Sequence, residues 1–150
     1  MTRLKAKDIM TANPSMIKPT QTVKEAAAMM KSVDCGVLPV GEPDNVVGMI
    51  TDRDIVLRVM AEDRDPSRTL AQDAMTKQHY SCAEDDDLET IAGQMRDHDV
   101  RRLLVTKNGA VSGVISLECL LRKPHDMETS ERLLHALLGE KQAAARNYAA

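Results

Sequence analysis

The chain has 150 residues, 43% hydrophobic and 29% charged, a balance that fits a folded globular protein and excludes extended disorder. A net charge of −3, with no Phe or Trp and two Tyr, gives neither the basic footprint nor the aromatic platforms that nucleic-acid binding uses. No apolar run approaches a membrane span and "MTRLKAKDIM" carries no secretory pattern, so the expected compartment is the cytoplasm; three cysteines without CxxC spacing frame no disulfide network.

From the N-terminus, "KDIMT" (7–11) leads to a short extended piece, "SMI" (15–17). A helix follows: Val23, Ala26, Ala27 and Met30 recur at helical spacing, Thr22 is the N-cap candidate, and Glu25 three places on completes a capping box. Two apolar runs, "VLPV" (37–40) and "VVGMI" (46–50), flank "GEPDN", which is hairpin chemistry, and a second helix begins at Asp52. "EDRDPSRT" (62–69) reads as a linker.

The pattern then restarts. "QDAMT" (72–76) and "YSC" (80–82) precede a helix capped by Asp87, with Leu88, Ile91, Ala92 and Met95 on one face. "RLLV" (102–105) and "VSGVI" (111–115) flank "TKNGA", and a further helix starts at Leu117. A constant offset of 65 residues matches Asp8, Met10 and Thr11 to Asp73, Met75 and Thr76. Without a gap it continues through Asp34 and Asp99, Leu38 and Leu103, and Gly48 and Gly113, to Ile50 and Ile115. The expectation is an α/β (α+β) chain of two β-α-β-β-α repeats, at 1–66 and 67–124, packed sheet to sheet, plus an extension at 125–150. With aromatics nearly absent, the ten methionines are expected to help fill the core. In the extension, 126–147 reads as a helix capped near Thr129 or Ser130. Its stripe of Leu133, Leu134, Leu137 and Leu138 either packs on its own module or contacts a second subunit or a client protein.

One segment is completed only once. "GMITDRDI" (48–55) has a carboxylate, Asp54, three places after Thr51; "GVISLECL" (113–120) has Cys119 three places after Ser116. Together with "DIMT", "CGVLPV" (35–40) and "DVRRLLV" (99–105), in this order and duplicated over roughly 6–124, the chain resembles a tandem pair of CBS domains, or Bateman module. It is similar to small stand-alone bacterial two-CBS proteins, including the hypoxic response protein type.

The resemblance implies a composite adenosine-nucleotide site. Thr51 would lie near phosphate and ribose, Asp54 would accept from both ribose hydroxyls, and Arg101 and Arg102 would supply the phosphate cations from the opposite repeat. Gly48 would permit close backbone approach, and Arg53 would point to phosphate or to solvent. An apolar slot of Met49, Tyr80, Ser81, Cys82 and Val100 would take adenine. The mirror site, with Ser116 and Cys119 beside Gly36 and Val37, lacks both carboxylate and cations and is expected to be degenerate. The ligand class is AMP or ATP, with NAD and S-adenosylmethionine as further members. No cofactor is required, and the expected partners are a second copy of the chain in a homodimer and an unknown client, with neither nucleic acid nor membrane.

Plainer roles stand beside these. Asp54 suits the first turn of a helix in any protein, and Arg101 and Arg102 suit a protected strand edge. No nucleophile elbow, P-loop or HExxH occurs, so no enzyme is expected. The alternatives to a nucleotide sensor are a constitutive interaction or stress-response protein with a vestigial pocket, and a metal- or redox-responsive module. For the last, His79 and Cys82 fall on opposite faces of an extended stretch, while Cys35 and Cys119 belong to the degenerate pocket; no metal ligand is assigned.

Overall fold

The computed structural model describes residues 3–122 and 127–139. In chain order the elements are α1 (Ala6–Ile9), β1 (Thr11–Ala12), α2 (Val23–Val33), β2 (Val37–Glu42), β3 (Asn45–Thr51) and α3 (Asp52–Ile55), the last running into a π-helical turn (Val56–Met60). Then follow α4 (Ala71–Ala74), β4 (Ser81–Ala83), α5 (Leu88–His98), β5 (Arg102–Lys107), β6 (Ala110–Ser116), α6 (Leu117–Arg122) and α7 (Met127–Leu138). The chain is mixed α/β with a C-terminal helix. It divides into two compact units: Asn13–Tyr80 with Lys107–Ser112, and Met1–Ala12 with Ser81–Thr106 and Gly113–Ala150.

The long helices start where their caps dictate. Thr22 Oγ1 accepts from the Glu25 amide at 3.1 Å, and Glu25 returns a bond to Thr22. The two remaining early donors of α2, the amides of Val23 and Lys24, reach the carbonyls of Thr69 (2.8 Å) and Pro66 (3.1 Å). The predicted linker is therefore wound into a tight structure. Asp65 accepts from the Ser67 amide and the Thr69 hydroxyl, and Thr69 is buried beneath α2. In the other unit Asp87 Oδ1 takes the Thr90 amide at 2.8 Å and caps α5. Both helices end on an aspartate in the left-handed region, Asp34 at φ 52° and Asp99 at φ 54°, so the repeat extends to backbone conformation. Asn108 and Gly109, both at positive φ, close the β5–β6 hairpin as the NG pair predicts.

The expected β-α-β-β-α order is present in each repeat, as β4-α5-β5-β6-α6 in the second and as the Ile17 bridge followed by α2, β2, β3 and α3 in the first. Each repeat opens with a short helix, α1 or α4, which the sequence pattern did not announce, and the extended residues directly after it, Thr11–Ala12 or Thr76, pair with the other repeat. β1 pairs antiparallel with β6, Thr11 opposite Val114, in a sheet ordered β1-β6-β5-β4 with β4 parallel to β5. In the other unit Thr76 pairs antiparallel with Met49 on β3, β3 with β2, and Ile17 in parallel with Val40 on β2. Each of these pairings is its counterpart shifted by 65 residues. "SMI" thus contributes one bridging residue, whereas "YSC" overlaps the strand Ser81–Ala83.

The core of the first unit gathers Ile17, Val23, Ala26, Met30, Leu38, Val40, Ile50, Val59, Ala71, Ala74 and Met75. The same offset recurs in the second, where Leu88, Ile91, Met95, Leu103, Val105 and Ile115 are buried. Aliphatic side chains dominate; Met60 and Met127 are exposed, so the methionines fill the core in part. α7 packs on α5 through the fully buried Leu133 and an Arg132–Glu89 ion pair at 3.0 Å, leaving Leu134 and Leu138 exposed. The helix starts at Met127, so Thr129 and Ser130 lie inside its first turn and are not its cap. Positions 126 and 140–147 of the expected helix lie outside the described residues.

The amide bond from Thr90 holds the Asp87 carboxyl below its ordinary value. A depressed folded-state pKa stabilises the fold at pH values above the unfolded carboxyl range and loses that effect as the pH falls through it. Asp87→Ala is expected to cost about 1 kcal/mol at pH 7. The difference from the parent chain should shrink below about pH 4, as read from urea unfolding at a series of pH values.

Candidate functional site

In the unit that holds residues 13–80, the "GMITDRD" segment is built against residues 74–76. Gly48 is buried, and a Cβ there would stand 2.7 Å from Met75 Sδ and 2.8 Å from the Thr76 carbonyl oxygen. The absent side chain lets the chain cross, and Met49 and Thr76 exchange both main-chain bonds at 2.8–2.9 Å. The backbone approach expected at Gly48 is thus made by the protein's own chain.

That crossing lays Thr76 beside the start of α3. Thr51 caps α3, its hydroxyl accepting from the Asp54 amide at 3.1 Å while Asp54 Oδ2 accepts from the Thr51 amide at 3.0 Å. Asp54 Oδ1 accepts from the Thr76 hydroxyl at 3.3 Å and faces Arg58 Nε at 3.8 Å. Arg58, inside the π-helical turn, also donates through Nη1 to the carbonyls of Met75 (2.6 Å) and Ala74 (3.3 Å). Asp54 is one of the buried polar side chains, 9% exposed, and this network is what makes a carboxylate tolerable there. Val37, the first residue of β2, is opposite Thr51, and the carbonyl of Gly36 just before it accepts from the Asp52 amide at 2.9 Å. Arg53 is exposed.

The other unit repeats the frame with different side chains. Gly113 lies under Met10 and Thr11 as Gly48 lies under Met75 and Thr76. Ser116 Oγ accepts from the Cys119 amide and donates to Cys119 Sγ, both at 3.2 Å. A thiol is a poor return partner for a strand amide, and the reciprocal half of the box is absent among the described residues. The Leu117 amide donates to the Arg101 carbonyl at 2.8 Å, the counterpart of Asp52 on Gly36. Where the first repeat has Gly36 and Val37, this one has two arginines on a cleft of about 400 Å³ lined by Arg101, Arg102, Ser116, Leu117, Glu118, Leu121 and Arg122. Arg101 is exposed and Arg102 half-buried, and neither makes an ion pair or side-chain hydrogen bond among the described residues.

The structure therefore gathers the predicted residues repeat by repeat. Thr51, Arg53, Asp54, Met49, Gly36 and Val37 lie in one unit; Arg101, Arg102, Ser116 and Cys119 lie in the other. Of the expected adenine slot, Met49 is buried beside Thr76, and Tyr80 is half-buried with its hydroxyl accepting from Gln78 Nε2 at 2.7 Å. Ser81 is exposed, Val100 closes the end of α5 through a bond to the Met95 carbonyl, and Cys82 is a core residue of β4. Burial pushes the Cys82 thiol up to about 11, so it is protonated at neutral pH. His79 Nδ1 lies 3.0 Å from the Lys77 carbonyl, and Cys35 Sγ donates to the Val37 carbonyl. Among the described residues no group of three or more His, Cys, Asp or Glu is placed to hold a metal ion. The sequence reading gave Thr76, Arg58 and Arg122 no role; Arg58, four places after Asp54, and Arg122, four after Glu118, each left a helical-spacing signal, and Thr76 stands in the repeated D-x-M-T segment.

The CBS domain model matches residues 6–61 and 71–126. The chain belongs to the CBS domain family. As a tandem CBS module it is a regulatory domain. The uncharacterized protein YlbB of Bacillus subtilis is 38% identical over 115 residues, which cover 75% of this chain and 77% of YlbB. Hypoxic response protein 1 of Mycobacterium tuberculosis is 31% identical over 112 residues, covering 74% of this chain and 78% of that one. The crystal structure of hypoxic response protein I with two coordinated zinc ions superposes with a TM-score of 0.71 at 29% identity, covering 81% of this chain and 100% of that one. A CBS domain protein from Pyrobaculum aerophilum, complexed with AMP, shares the fold at a TM-score of 0.73 and 23% identity, over 87% and 98% of the two chains. No helix among the described residues is long and apolar enough to cross a membrane.

Because Asp54 satisfies the Thr51 amide and the Thr76 hydroxyl inside the fold, Asp54→Ala is expected to lower the unfolding free energy by about 1–3 kcal/mol. Cys119→Ala, its counterpart 65 residues on, should cost less than about 1 kcal/mol, since the sulfur is a weak partner. Guanidinium unfolding of the two variants checks the contrast.

Proposed function

We propose that this CBS module is a non-catalytic sensor that binds an adenosine nucleotide such as AMP or ATP and passes occupancy to a second copy of the chain or to a client protein. The observation that carries the proposal is the pair Arg101 and Arg102, two guanidinium groups on a cleft without a carboxylate partner among the described residues. Unpaired arginine forks on a concave surface suit phosphate, whose oxygens they bond two at a time. Asp54 supports the ribose half. Its two oxygens each accept one hydrogen bond within the fold, and an ionised carboxylate has about four acceptor positions, so two stay available for the two ribose hydroxyls. The AMP complex of the Pyrobaculum aerophilum protein supports the ligand class.

A ligand can shift such a module only by its differential affinity for two states, typically about 1–3 kcal/mol of coupling. The Asp54 network offers a route: a ribose on the available positions of Asp54 draws on the same carboxylate charge that faces Thr76 and Arg58, which hold residues 74–76 in place. A second reading, a zinc-responsive module, is favoured by the two zinc ions of hypoxic response protein I.

Thermal melting separates the readings. AMP or ATP at a hundredfold excess over Kd should stabilise the chain by about 2.7 kcal/mol. The 2′-deoxy analogue should be weaker, NAD and S-adenosylmethionine define the breadth of the site, and Arg101→Gln with Arg102→Gln should abolish the response while Cys119→Ala leaves it. Absence of any nucleotide shift makes the pocket vestigial and the nucleotide reading wrong. A shift with zinc alone gives the function to the metal.

A further inference from the structure

Helix α7 is apolar on two sides, and its own unit uses one of them. The inner side is held on α5 by the buried Leu133 and by the Arg132–Glu89 ion pair, and the helix ends where Gly139, at φ 41°, lies against Arg96. These contacts fix α7 in place before anything meets its outer side. There Met127, Leu134 and Leu138 are 89%, 51% and 42% exposed, with the exposed Glu131 between the first two. The steps from Met127 to Glu131, Leu134 and Leu138 are four, three and four residues. On a helix turning about 100° per residue, that spacing keeps all four within an arc of about 60°. It is the spacing by which one helix meets another along a seam.

The charge within the seam selects both the occupant and its direction. Two copies of α7 paired parallel and in register would set Glu131 against Glu131, which like-charge repulsion opposes. Paired antiparallel, Met127 of each copy meets Leu138 of the other, and Glu131 of each meets Leu134 of the other. On the flank Glu128 then faces His135 of the second copy, an acid against a base. Every contact occurs twice, as a twofold axis requires. Glu131 Oε1 lies 4.0 Å from His135 Nε2 of its own helix, so the carboxylate is drawn to the flank and the middle of the stripe is left to Leu134.

We infer that the outer side of α7 is a self-association surface on which two copies of the chain pair antiparallel, and that Glu131 sets the direction while weakening the contact. A single polar residue in an apolar seam has this double effect. The seam is about 16–18 Å long and smaller than a stable dimer needs, so the dimer is weak and concentration-dependent. The inference stands on α7 alone and holds or fails independently of any nucleotide.

Sedimentation equilibrium of the full chain without ligand, from about 10 μM to about 1 mM, provides the test. A monomer–dimer equilibrium is expected. Leu134→Lys should raise its Kd about tenfold or more, since each dimer loses the contact twice, without moving the melting temperature of the dilute chain. Glu131→Leu should lower the Kd by a similar factor. Leu57→Lys, at an equally exposed leucine of the π-helical turn in the other unit, should leave it unchanged. An equimolar mixture of the parent chain with Glu131→Lys should associate no more tightly than the parent. A monomer at every concentration, a dimer indifferent to Leu134→Lys and Glu131→Leu, or a dimer lost in Leu57→Lys would overturn the inference. A mixed dimer tighter than either component would overturn it too, because only parallel pairing brings position 131 against itself.

Discussion

The structure depends on two places where a strand has no side chain and another part of the chain lies across it. Gly48 is covered by Met75 and Thr76, and Gly113 by Met10 and Thr11. In each case the covering segment comes from the leading end of the repeat other than the one that carries the glycine, so neither copy completes its own sheet. A single copy of about sixty residues would expose the edge strand it cannot pair and the glycine it cannot cover. Duplication is therefore a structural necessity in this chain, and the D-x-M-T segments at 8–11 and 73–76 are the parts exchanged.

The same crossing sets the chemistry at the start of the second helix of each repeat. Where Thr76 is delivered beside β3, a buried carboxylate waits for it, and Asp54 ties the exchanged segment to the helix cap. Arg58 adds charge balance and grips the carbonyls behind Thr76, and the π-helical turn that carries it places the guanidinium against both Ala74 and Met75. In the second repeat the counterpart of Asp54 is Cys119, which asks for no balancing cation. The charge appears instead on Arg101, Arg102 and Arg122, directed to a cleft rather than to the interior. One copy uses its polar residues to fasten the fold; the other presents them along the cleft.

Much of this was legible in the sequence. The capping box at Thr22, the cap at Asp87 and the turn at Asn108–Gly109 rest on local rules, and the structure follows them. The exchange of leading segments was hidden for a definite reason: both copies carry the same residues at the same offset, so the pattern is identical whichever segment covers which glycine. The short helices α1 and α4 span four residues each, too few to show a period. The partners of Arg58 include two main-chain carbonyls, which have no signature in residue identity.

The exchange of segments is most directly tested by native-state hydrogen exchange on a chain that begins at residue 13, compared with the full chain. Loss of the 1–12 segment should strip amide protection from 110–116, the strand it pairs with, while 23–33 and 45–51 keep theirs. Loss of protection in 23–33 and 45–51, with 110–116 unaffected, would mean that the leading segment serves its own repeat and would contradict the account.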